Sequence, residues 1–157
     1  MRKQIFTGIV CIMLMGMMAL PVSAEETPIT ATVTSSYELS IPAATDIDFN
    51  VTSTNLEGTL KVTGNVLPTQ TVSVSAQTKP LSNSVQGTTL PYELRNGTSE
   101  FSTATWNENE LRADQPKEIQ LSIAITEDDW NQAEAGDYTG SIVFTATMND
   151  DTQSGGQ

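Results

Sequence analysis

Apolar and hydroxyl-bearing residues alternate along most of this chain. Ile29, Ala31 and Val33 interleave with Thr30, Thr32 and Thr34, and Tyr37, Leu39 and Ile41 extend the alternation until Pro42 stops it. Successive strand side chains face opposite ways, so a period of two sustained over six or more residues predicts a half-buried strand. Ile47, Phe49 and Val51, set against Asp46, Asp48 and Asn50, predict a second strand, and Leu60 and Val62 a short third, turned at Gly64-Asn65. Val72, Val74 and Ala76 alternate with Thr71, Ser73 and Ser75. Residues 79–89 carry Pro80, Ser82, Asn83, Ser84 and Gly87, a loop composition. Tyr92 and Leu94 predict another strand, closed by Asn96-Gly97, a pair that tolerates the two positive φ values of a type I′ hairpin turn. Phe101 to Trp106, Ile119 to Ile125 and Tyr138 to Ala146 complete the series.

One segment reads as helix. Thr126 is placed to cap Glu127-Asp128-Asp129-Trp130, with acids in the first turn where the helix dipole favours them. About eight or nine short strands separated by turn residues, with no long helix, predict an all-β fold, an Ig-like Greek-key β-sandwich. A closed barrel is the alternative. No internal repeat or second domain is visible.

The N-terminus has a different pattern. Met1, Arg2 and Lys3 form a basic start, Ile5 to Leu20 an apolar run, and Val22 and Ala24 occupy the −3 and −1 places of a signal-peptidase site. That order predicts a signal peptide over residues 1–24, cleaved on export. The apolar run falls short of the roughly 20 residues that span a bilayer, and Glu25-Glu26 follows it directly. A lipid anchor at Cys11 wants a small residue before the cysteine, and Val10 stands there. Cleavage leaves about 130 residues, enough for one self-sufficient core. The predicted β-sandwich covers 25–148, and the polar stretch 149–157 is predicted to be a disordered tail. Cys11 is the chain's one cysteine and leaves with the signal, so disulfides have no place in the exported part.

Charge narrows the partners. The formal charge is −12, and loss of Arg2 and Lys3 makes it two units more negative. Such a field disfavours nucleic acid and anionic membrane surfaces and keeps the protein soluble.

The chemistry for catalysis is sparse. The absence of histidine, with no cysteine beyond Cys11, removes Ser-His, Cys-His and His-metal arrangements. A carboxylate pair for glycoside hydrolysis remains, but 19 acids make a chance pair common. No catalytic residue and no cofactor is assigned. Asp46, Asp48 and Asn50 resemble the start of a calcium loop, with Glu57 at the twelfth place but Val51 where the loop needs glycine. In an extended strand they would stand too far apart for one ion; the expectation is a solvated acidic face. Trp130 is expected to close one end of the sandwich. Trp106 is either inward or a candidate ligand platform for sugar. Leu67-Pro68-Thr69-Gln70-Thr71 lacks the spacing and apolar tail of a sortase signal, so no covalent wall anchor is expected. A terminal strand such as Ile29 to Ile41 could add to a neighbour's open sheet edge, with Lys61 and Lys79 as edge guards.

The most specific stretch is Ala135-Gly136-Asp137-Tyr138-Thr139-Gly140-Ser141-Ile142-Val143-Phe144-Thr145. A tight turn at Gly136 followed by Tyr138 and a strand resembles the tyrosine corner of Greek-key sandwiches, in which the phenol hydroxyl bonds nearby backbone. Together with Val33-Thr34-Ser35-Ser36-Tyr37-Glu38-Leu39-Ser40-Ile41-Pro42, it resembles small secreted Gram-positive (Firmicutes) surface proteins, and more distantly WxL-type cell-surface domains, although the chain has no Trp-x-Leu pair. The resemblance implies an exported Ig-like domain, cell-wall associated or released. Its implied role is adhesion or surface display, bound to a surface protein or glycan, and it implies no catalytic residue. The alternatives are a self-assembling matrix or pilus-type subunit and a carbohydrate-binding domain.

Overall fold

The computed structural model describes residues 28–150. The chain divides into two units, Met1–Thr32 and Val33–Gln157, and the strands and helix described below belong to the second. The expected signal peptide with Cys11, and the tail from residue 151 on, lie outside the described residues. Among the described residues no helix is long and apolar enough to cross a membrane.

Among the described residues eleven strands form: β1 Ser36–Ser40, β2 Ser53–Asn55, β3 Leu60–Asn65, β4 Gln70–Asn83, β5 Thr88–Leu90, β6 Glu93–Asn96, β7 Ser99–Glu100, β8 Thr103–Asn107, β9 Lys117–Ile119, β10 Leu121–Ala124 and β11 Thr139–Asp150. The one helix among the described residues, α1 (Glu127–Gln132), sits between β10 and β11. All strand pairs are antiparallel. The count exceeds the eight or nine expected because the strand expected over Ile119 to Ile125 is broken into β9 and β10 and because the short β2, β5 and β7 lie outside the expected set, β5 falling partly in the stretch read as a loop. Only Gln120 separates β9 from β10, and its amide donates to the carbonyls of Leu56 and Gly58 in the bulging loop opposite.

Across that break the two short sheets form one layer. β3 pairs with β9 and β2 with β10, while β1 lies outside β3 and β6–β7 lie beyond β10. The second layer is β11–β4, with β5 and β8 sharing the far edge of β4. The chain changes layer after β3, β5, β7, β8 and α1, a Greek-key path. The all-β sandwich is the fold. Leu60, Val62, Leu94, Leu121 and Ile123 from one layer meet Val72, Val74, Leu90 and Trp106 from the other in one core. Alternation explains it: β3 and β4 bury every second residue against the opposite layer.

Four expectations are corrected. Residues 28–35 form no strand despite their alternation, and Ile29 and Val33 are 93% and 73% exposed; periodicity supplies a face, but a strand also needs a hydrogen-bonding neighbour. Residues 47–51 are not a strand either. Asn50 takes a positive φ of 61°, the Val51 amide donates to the Asp48 carbonyl at 3.2 Å, and Phe49 is turned outward. Gly64-Asn65 is no turn: both residues lie in β3, paired with Tyr37 and Ser36. Gly64 is there for close approach, since a Cβ would stand 3.0 Å from the Ser36 carbonyl oxygen. Residues 79–83 belong to β4, and Pro80 is tolerated because the register with β11 slips between Thr139 and Ser141, where a missing amide is not needed.

Smaller departures follow the same logic. The β6–β7 hairpin has Gly97-Thr98 at its centre, with Asn96 paired to Ser99. Only Gly97 carries positive φ, the type II′ pattern instead of I′. β11 continues through Asn149 and Asp150, beyond the boundary expected at 148. Lys61 is enclosed between β1 and β9, beside Glu118 at 3.7 Å, and guards no open edge. Lys79 pairs with Ser141 of β11 and, on its other side, lies in the stretch of β4 between the parts that β8 and β5 pair, with no described strand partner.

Candidate binding groove

Two adjoining cavities of about 580 and 380 Å³ run along one side of the sandwich and share Thr45, Asp46, Ile47, Leu81 and Tyr138. One wall is the segment that follows β1, residues 41–47. It is tied to the first layer because the Ala43 amide donates to the Glu57 carbonyl and the Glu57 amide donates to Thr45 Oγ1, both at 2.8 Å. The other wall is the start of β11, from Tyr138 to Phe144. Leu56 and Ile123 of the first layer and Leu81 and Leu90 of the second line the bottom. The surface mixes apolar and polar groups in nearly equal parts, with Asp46, Glu134 and Asp137 at one end.

The corner at the head of β11 shapes that end. Tyr138 Oη donates to the Glu134 carbonyl at 3.0 Å and lies 3.2 Å from Thr88 Oγ1. Gly136 has φ 143°, and the Asn83 amide lies where a Cβ would go. Asn83 is 1% exposed. Its Oδ1 accepts from the amides of Val85 and Gln86, and its Nδ2 donates to the Ala135 carbonyl, so one side chain joins the end of β4 to the corner. Tyr92 Oη donates to the Ser141 carbonyl at 3.1 Å and braces β11 further along. Burial pushes the Tyr92 phenol above its ordinary value, with a hydrogen bond to the Lys79 backbone acting the other way.

Trp130 lines the same end. Thr126 caps α1 by accepting from the Asp129 amide at 3.1 Å. This sets the helix so that Trp130 Nε1 donates to the Val51 carbonyl at 3.0 Å. Its ring meets Phe49 edge to face, with centroids 5.6 Å apart. Phe49, 72% exposed, thus forms a lip of the larger cavity.

The structure gathers Trp130, Gly136 and Tyr138 at this end. It separates Trp106, which is 7% exposed in the core while Thr103 and Thr105 of the same strand face out. The platform expectation for Trp106 is corrected: no ring face is offered to a sugar. Asp46, Asp48 and Asn50 are all exposed around the Asp48–Val51 turn, and among the described residues no group of three or more acidic, histidine or cysteine side chains could hold a metal ion. Sequence reasoning missed Asn83 and Phe49. An Asn at the head of a Ser-Val-Gln-Gly turn was a readable sign for Asn83; Phe49 had none, because its alternation pointed inward.

The groove continues into an open edge. β11 is bonded to β4 on one side, and no other described strand pairs with it. Its inward residues Ile142, Phe144, Ala146 and Met148 are only half-buried. From β1, Tyr37 Oη donates to the Ala146 carbonyl at 3.3 Å, so β1 and β11 border the same opening.

No protein-family model, curated protein or solved structure matches the chain.

Proposed function

We propose that this chain is an exported, non-catalytic β-sandwich module of the cell surface that holds a partner protein in the groove beside β11. The observation that carries the reading is the pairing of a partly apolar groove with a strand edge whose backbone groups have no partner among the described strands. An extended segment added there gains main-chain hydrogen bonds from the edge and specificity from side chains seated in the groove. Export rests on the Met1–Ala24 pattern, and surface display on the resemblance to secreted Gram-positive surface proteins. The glycan reading has less support, since Trp106 is buried.

The test is expression of the full chain in a Gram-positive host, with sequencing of the recovered N-terminus and quantification in wall and medium. The expected result is a chain starting at Glu25 and retained at the wall. Retention should fall in a variant carrying Ile41→Asp and Phe49→Asp, two exposed groove residues whose replacement leaves the core intact. An uncleaved chain kept inside the cell, or equal retention of the variant, overturns the reading.

A further inference from the structure

The strand plan identifies what the groove lacks. A seven-strand Ig sandwich has A-B-E-D in one sheet and C-F-G in the other, with the tyrosine corner at the start of F. Here β1, β2/β3, β9/β10 and β6 take the A-B-E-D places, and β4 takes C. Tyr138 marks β11 as F. The next place in that layer, G, lies between β11 and β1, and no described residue fills it.

We propose that residues 28–34 of a second copy occupy the G place, added as a strand to the free edge of β11. This rests on the groove reading above and names its occupant. Three observations select that segment. It has the period-two pattern of a strand, yet lies in none, with Ile29 and Val33 exposed. It carries no charge, as does the whole stretch from Thr27 to Tyr37, so it can approach another copy of an acidic chain with little repulsion at the contact. The edge that receives it is equally bare. Thr139–Asn149 contains no charged residue and no proline, the devices by which long edges are kept from pairing. Seven residues extend about 23 Å, which fits beside a strand of 12 residues. Seated there, Ile29, Ala31 and Val33 would cover the half-buried Ile142, Phe144 and Ala146.

Light scattering over a range of concentrations tests the proposal on the full chain. The expected result is reversible association, weakened at least roughly tenfold by Ile29→Asp with Val33→Asp, because carboxylates would have to sit against Ile142, Phe144 and Ala146. Circular dichroism should be unchanged in that variant, since both side chains are exposed. A second measurement fixes the site. In a Cys11→Ser background, chains carrying Ile29→Cys are mixed under oxidation with chains carrying cysteine at Ile142, Ala146 or Met148. Disulfides should form at one or two of these and not at Ser99→Cys on β7. A monomer at every concentration, association indifferent to the Asp pair, or disulfides without position preference each overturn the second-copy occupant. The wall-retention result is independent of these outcomes, so a monomer still released from the wall by Ile41→Asp with Phe49→Asp leaves the partner-protein reading standing.

Discussion

β4 and β11 are the longest described strands, 14 and 12 residues, and they pair along nearly their whole length. Both alternate apolar and polar residues. Val72 and Val74 of β4 are nonetheless fully enclosed, whereas Ile142, Phe144, Ala146 and Met148 of β11 stay half-exposed. The difference is lateral. β4 has β11 on one side and β8 and β5 on the other, while among the described strands β11 has β4 alone. Facing the opposite layer covers an inward side chain from above; only strands on both sides seal it. β11 is held instead by anchors: the Gly136–Tyr138 corner at its head, Tyr92 at Ser141 and Tyr37 at Ala146.

The widest contrast comes from placing a charge in each strand. Val74→Asp buries a carboxylate with no partner, a cost of several kcal/mol against a total stability of about 5–15. Urea titration should find it unfolded or nearly so. Val143→Asp, on the outward face of β11, should move the midpoint by less than about 0.5 kcal/mol. Equal effects would break the comparison. Next is Gly136→Ala, where positive φ and the adjacent Asn83 amide oppose a side chain; a loss of about 1–3 kcal/mol is expected. Hydrogen exchange should report it first as faster exchange at the head of β11. Gly97→Ala has positive φ but open space around it, and serves as the milder control.

Tyr138→Phe removes the bond to the Glu134 carbonyl and should cost about 0.5–1.5 kcal/mol by thermal or urea unfolding. The smallest effect is set by pH. Below about 10 the Tyr92 phenol is protonated in folded and unfolded chains alike. As pH rises past the unfolded value, the unfolded chain releases its proton first, because burial raises the folded one. Stability therefore falls as pH rises through the folded value. Tyr92→Phe should flatten that alkaline decline, measured as the difference in urea midpoint between neutral and alkaline buffer. An unchanged decline would mean that Tyr92 is not the group responsible.

Much of the sandwich was legible because its signal is local. In β3, β4 and β10, one face is apolar and buried, and Leu60, Val62, Val72, Val74, Leu121 and Ile123 are core residues in sequence pattern and in structure alike. The corner was legible for a similar reason: Gly136 and Tyr138 interact within a few residues, and Tyr138 bonds a carbonyl four positions back. The groove was not. Its walls come from residues 41–47 and 138–144, far apart in the chain, and its lip is Phe49, whose alternation points the wrong way. Trp106 admitted both an inward and an outward placement until the position of β8 against β4 chose the first.

Taken alone, the order of residues determined the β class, the inward face of most strands and the turn at the head of β11, since each depends on neighbours within a few positions. Tertiary structure decided which alternating segments become strands at all and which edge stays open. A strand exists only when another chain segment answers its backbone hydrogen bonds. Ile29–Val33 and β11 are alike in pattern; β4 answers one of them, and among the described residues nothing answers the other.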